Sequence, residues 1–181
     1  DIDLPEIGGG NIQELIASQG DVIGMMSLAL RDLSASQVLM ARALDLREEG
    51  KSAEELSALL SKGDLSGKDD IEKALTNSVS TQKKINDAIG RGVEISSESK
   101  ADFGKAMPLY GTGTFNLVRT GTAAASSAKS IVVPSPAILK QAGTLFFVAK
   151  NTPKAAKVFK DSTASLIKYG RKSGVDTKAL E

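Results

Sequence analysis

The sequence predicts an all-α protein, an elongated, mostly antiparallel helical bundle with three long helices and shorter ones. Three observations predict it. Apolar residues recur by alternating fours and threes over long stretches, the spacing that keeps one helix face turned to a partner. Aromatics are only 4% of the chain and Trp is absent. A core must then be built from Leu, Ile, Val, Met and Ala, which suits closely packed helices better than a β-sandwich. Finally, Ser, Thr or Asn recurs where a helix would start, and Gly where one would stop.

The opening "DIDLPEIGGG" has one Pro and three consecutive Gly and reads as a flexible segment over 1–10. A first helix is expected from Asn11, an N-cap with Glu14 three residues on, to Glu49, with Gly50 as its stop. Its seam runs Ile12, Ile16, Gln19, Ile23, Met26, Leu30, Leu33, Gln37, Met40, Leu44. Ile16, Ile23, Leu30, Leu33 and Leu44 are the expected core contacts. Gly20 and Gly24 weaken the helix by roughly 1 kcal/mol each relative to Ala. "KSAEELSALLSKG" predicts a short second helix, boxed by Ser52 and Glu55 and ended by Gly63. A third opens at Ser66, with Asp69, Asp70 and Glu72 near the positive end of its dipole. Its seam is Ile71, Leu75, Ser78, Gln82, Ile85, Ile89, and it is expected to reach Glu98, with Gly90 and Gly92 as weak points.

The stretch "GTAAASSAKS" looks like a linker, yet the heptad passes through it without a slip: Phe103, Met107, Tyr110, Thr114, Leu117, Gly121, Ala124, Ala128, Ile131. It therefore predicts the middle of a fourth long helix. Its small residues at Gly121, Ala124 and Ala128 would let a neighbouring backbone come closer than the usual 8–10 Å or so. Pro108, Gly111 and Gly113 are the expected sites of a kink or a delayed start. The helix must stop near Val133, ahead of a proline. Ser135-Pro136 and Thr152-Pro153 each predict an N-cap with Pro at the first helical position. They open a fifth helix to about Lys150 and a sixth to about Ser173, stopped by Gly174. The bundle domain spans 11–178, and 179–181 form a tail in which Leu180-Glu181 fits a cloning scar.

Composition narrows the function. The chain has no Cys and no His, so thiolate nucleophiles, the commonest transition-metal ligand and the usual general base near neutral pH are missing. No catalytic residue, metal site or cofactor is expected. Ser-x-x-Lys occurs at Ser80/Lys83, Ser97/Lys100, Ser126/Lys129 and Ser165/Lys168, as chance supplies in a chain rich in both, and the companion elements of such catalytic sites are absent. "GTGTFN" follows no strand, so it is no dinucleotide fingerprint. No apolar run is long enough to cross a bilayer, so no transmembrane segment is expected. A chain starting at Asp1 without Met suits a mature exported, periplasmic protein. A domain cut from a longer protein would look the same.

The net charge of +1 hides an asymmetry: residues 1–99 carry −8 and residues 100–181 carry +9. Either the halves attract each other within the fold, or a basic surface meets an anionic partner. On the last helix Lys154, Lys157, Lys160, Lys168, Arg171 and Lys172 fall within an arc of roughly 120°. Val158, Phe159, Leu166, Tyr169 and Ala155 lie across from them. The plain reading is a solvated bundle face, and the functional reading is an anion-binding surface. The strip has Lys rather than Arg and no exposed stacking aromatics, which argues against sequence-specific nucleic-acid recognition. Gln19, Gln37 and Gln82 interrupt the apolar seams. They read as register-setting amides in preference to a polar layer lining a ligand.

The expected function is a non-enzymatic exported helical binding or assembly protein acting through helix–helix surfaces, with a protein partner or a second copy of itself. The second reading is a peripheral membrane or polyanion binder using the basic last helix. The third is a small-ligand carrier or enzyme with a site between the helices.

Overall fold

The computed structural model describes residues 9–63, 65–131 and 135–181. Among them are six helices: α1 (Gly9–Ala43), α2 (Arg47–Ser61), α3 (Lys68–Gly90), α4 (Ser97–Lys129), α5 (Pro136–Gln141) and α6 (Gly143–Lys172), then a 3₁₀ turn over Lys178–Leu180. No strand occurs among the described residues. The long helices α1, α4 and α6 have 35, 33 and 30 residues, about 45–53 Å each at 1.5 Å per residue. That length makes the bundle elongated.

Helix α4 lies between α1 and α6, while α3 packs on α1 and α6 from the other side and α2 doubles back along α1. Helices α4 and α6 are antiparallel: Phe103 meets Tyr169, Tyr110 meets Phe159, and Gly121 meets Thr152. By contrast α3 runs parallel to α6, with Lys68 over Phe147 at one end and Asn86 bonded to Ser162 further on. The aromatics missing from the first half of the chain are concentrated in this α4–α6 layer, where Phe103, Tyr110 and Phe159 are fully buried.

The expected seam of α1 is buried from Met26 through Leu30, Leu33, Gln37, Met40 and Leu44. Nearer the start it is rotated. Leu15 and Val22 are buried, Ile23 is half-buried, and Ile16 is 49% exposed. A straight helix drifts by about 20° per heptad against a 3.5-residue repeat, so the strict heptad slides out of the core.

Several boundaries differ from expectation. Helix α1 begins at Gly9, so Asn11 lies inside it and not at its cap; residues 1–8 of the expected flexible segment lie outside the described residues. It ends at Ala43, not Glu49. Asp45 takes a left-handed φ of 55° and the Leu46 N–H reaches back to the Ala41 carbonyl at 2.8 Å, closing the helix as a glycine would. Gly50 instead sits in the first turn of α2, where a Cβ would be 3.7 Å from Ala41 Cβ. Ser52 is thus inside α2 and accepts from the Asn77 side chain at 2.7 Å. Helix α3 stops at Gly90, well before Glu98, because Gly92 adopts φ 72° and turns the chain. Ser96 then caps α4, its hydroxyl accepting from the Ser99 N–H.

Neither internal proline stops its helix. Pro108 is exposed, and α4 carries on between buried Met107 and Tyr110. Thr152-Pro153 was expected to start a helix, but α6 already runs through it from Gly143. Interior proline costs about 3 kcal/mol. Leu145 and Val148 before it and Ala155, Ala156 and Phe159 after it are buried, and that packing offsets the cost. The fifth helix is correspondingly short, capped as expected by Ser135 but ending at Gln141. Helix α4 stops at Lys129 with Ser130 as its C-cap, short of the expected stop near Val133.

Small residues do set close approaches, though the tightest between two helices is not where the sequence placed it. A Cβ on Gly121 would lie 3.3 Å from Thr152 Cγ2 of α6, whereas on Gly113 it would lie 2.7 Å from Leu33 Cγ and 2.9 Å from the Leu33 backbone nitrogen of α1. The expected tail is docked as well. Gly111 leaves room for the Ala179 carbonyl and the Leu180 side chain, and Arg171 pairs with Glu181 at 2.7 Å.

Candidate functional site

Lys154, Lys157, Lys160, Lys168, Arg171 and Lys172 are all exposed along α6. The helix phase that predicted them is set by the opposite side: Ala155, Phe159, Ser162, Leu166 and Tyr169 are buried against α4 and α3, and Val158 is half-buried. Two of the six cations are paired locally, Lys157 with Asp161 one turn on and Arg171 with Glu181. The hydrogen bond from Arg171 holds the Glu181 carboxyl below the usual carboxylate range. Lys154, Lys160, Lys168 and Lys172 have no carboxylate within 4.0 Å among the described residues.

Two recesses flank this face. One is a groove of about 410 Å³ between α4 and α6, where Lys129, Lys157 and Lys160 rim a floor that includes Gly121, Ala125 and Ala156. The other, about 720 Å³, lies where α3 and α6 end and α4 begins; Lys100, Lys168 and Lys172 converge on it. Sequence reasoning missed Lys129 and Lys100 as members of the surface. Helix α4 brings both to α6, so α6 periodicity could not reveal them. One signal was available for Lys100, a cation near a helix start where the dipole disfavours it.

The apolar side of α6 is engaged. Phe159 and Leu166 are fully buried, Phe103 and Tyr169 rings lie 5.3 Å apart, and the Tyr110 hydroxyl donates to the Phe159 carbonyl at 2.6 Å. Burial pushes both phenols above their ordinary value. No helix among the described residues is long and apolar enough to cross a membrane.

The three seam glutamines separate into two roles. Gln37 and Gln82 are fully buried and bonded to each other: the Gln37 amide donates to Gln82 Oε1 at 3.3 Å and to the Ser78 carbonyl at 2.7 Å. Gln82 donates on to Asn86, and Asn86 to Ser162 of α6. This chain ties α1, α3 and α6 at one level and uses both amide hydrogens of Gln37. Gln19 is not part of a seam layer. It is partly exposed at the α5–α6 junction, where its carbonyl oxygen accepts the Leu145 N–H and its amide donates to the Gln141 carbonyl, both at 3.1 Å. Helix α6 has no side-chain cap of its own at Ala142, and Gln19 supplies one from α1.

The charge asymmetry is not consumed inside the fold. Arg42–Glu54 and Arg47–Asp45 lie in the acidic half, and Lys105–Asp102, Lys157–Asp161 and Arg171–Glu181 in the basic half. Among the described residues no ion pair joins 1–99 to 100–181. Comparison with protein families, curated proteins and solved structures finds no match to this chain.

Proposed function

We propose that this is a non-enzymatic helical-bundle binding protein that uses the basic face of α6 to contact a polyanion. The observation that carries this reading is the absence, among the described residues, of any ion pair between the acidic and basic halves. Lys154, Lys160, Lys168 and Lys172 therefore keep their charge available for a partner. The long seams also favour a surface contact over a shared seam. Leu33, Met40, Phe103, Met107 and Leu117 are fully buried within one chain, so no second copy is needed to cover them. Binding through such a face is governed by release of counterions from the polyanion. Heparin is a suitable probe. The triple variant Lys154→Glu, Lys160→Glu, Lys168→Glu should lose heparin binding with little change in melting temperature, because exposed charges contribute little to stability. Retained heparin affinity in that variant would remove the face from the function.

A further inference from the structure

We propose that the cleft at the α3–α4 end of α6 is a discrete site for an organic phosphate monoester. The inference rests on the anion-binding reading of α6 through Lys168 and Lys172, but it adds Lys100 and a bounded ligand. The cleft holds three ammonium groups and one carboxylate, that of Glu94, an excess that matches the dianion a phosphate monoester carries above its second pKa near 6. Lys100 is half-buried there, its Nζ 3.8 Å from where a Cβ on Gly174 would lie. Among the described residues none of the three lysines has an ion-pair partner within 4.0 Å.

An alternative use of these lysines is to neutralise the negative ends of α3 and α6. Three of the last four carbonyls of α6 are already taken. Tyr169, Gly170 and Arg171 accept from the N–H groups of Ser173, Val175 and Gly174. In the same way the Ala88 carbonyl at the end of α3 accepts from Val93. Gly92 and Gly174, with φ of 72° and 73°, make these two turns possible, and the Tyr169 hydroxyl donates to the Val93 carbonyl, fastening one turn to α6. The walls are thus set before a ligand arrives, which lowers the ordering cost of binding. At about 720 Å³ the cleft exceeds what a lone phosphate fills and falls in the range of small-molecule sites. Ile89, Val93, Ile95 and Tyr169 supply apolar wall for the organic part of an ester, while Ser165 at the rim offers a hydroxyl donor.

The test is calorimetric titration of the full chain with phenyl phosphate, alongside phosphatidylcholine vesicles doped with phosphatidic acid. Saturable phenyl phosphate binding identifies a soluble ester. Binding only to the vesicles, and lost in Lys100→Gln, identifies a lipid headgroup of the same chemistry. Either result supports the site. Lys100→Gln and Lys172→Gln should each weaken binding by about tenfold, the loss of one charge-assisted contact. Lys51→Gln, exposed on α2 and outside both the cleft and the α6 face, should leave it unchanged. Lys172 is exposed, so that variant reads the site even if Lys100→Gln disturbs folding. Failure of both probes to bind, or unchanged binding in Lys172→Gln, overturns the proposal. Heparin binding measured on the same samples keeps its failure separate from failure of the α6 surface.

Discussion

Gly113 and Gly20 stand in two long helices under opposite demands. Gly113 faces the backbone of α1, where a Cβ would sit 2.9 Å from Leu33 N and 3.1 Å from the Ala29 carbonyl. Backbone cannot swing aside, so Gly113→Ala must push α1 and α4 apart and should cost about 1–3 kcal/mol or more, as overpacking does. Gly20 has nothing within 4 Å of a Cβ, and Gly20→Ala should stabilise by about 0.5–1 kcal/mol through backbone entropy and helix propensity. Urea unfolding of the two variants checks both signs. Asp32 is a second residue-scale case. Burial lifts its carboxyl above the ordinary value, with the neighbouring Arg31 guanidinium opposing the lift. The folded state then holds its proton longer than the unfolded state. Stability therefore falls as pH rises from the ordinary carboxylate range through the raised value. Asp32→Asn should melt higher than the parent at neutral pH, and the gain should fade toward about pH 3, where the parent carboxyl is itself neutral. A gain that persists undiminished there would assign it to something other than the charge.

At the scale of the element, local signals were legible where one helix decides its own fate and illegible where two helices decide together. The seams from Met26 to Leu44 and from Phe103 to Ala124 are buried, because periodicity is a property of one segment. The stop at Asp45 was hidden, since Gly50 carries a stronger glycine signal and only the packing of α2 on Ala41 shows what that glycine is for. Pro153 misled for the same reason: the packing that carries α6 through it comes from α4 and α3. Gln19 joins α1 to the start of α6 across more than a hundred residues, which no local reading detects. Gln19→Ala leaves the Leu145 N–H at the α6 start without its partner and should cost about 0.5–2 kcal/mol, as loss of an N-cap does. Faster amide exchange at Leu145 would be the specific sign, and an unchanged rate there would show that the cap is idle.

For the whole molecule, the charge asymmetry was visible as a count, but its consequence was not. Counting cannot tell two halves that neutralise each other from two that do not, because that depends on which side chains lie opposite. Among the described residues all five ion pairs stay within their own half. The basic face of α6 was readable residue by residue from helical phase, yet its division between a groove with Lys129 and a cleft with Lys100 required the fold. The central claim is that this face binds by charge while the apolar side of α6 stays in the core, holding Phe159 and Leu166 against α4. Co-sedimentation with anionic vesicles across a salt series tests it most directly, because exposed charges are screened over about 3 Å at 1 M salt and about 10 Å at 0.1 M. The account predicts binding at low salt that is gone at about 1 M salt. Binding that survives high salt would mean that Phe159, Leu166 and Tyr169 leave the bundle to enter the bilayer, and it would contradict the account.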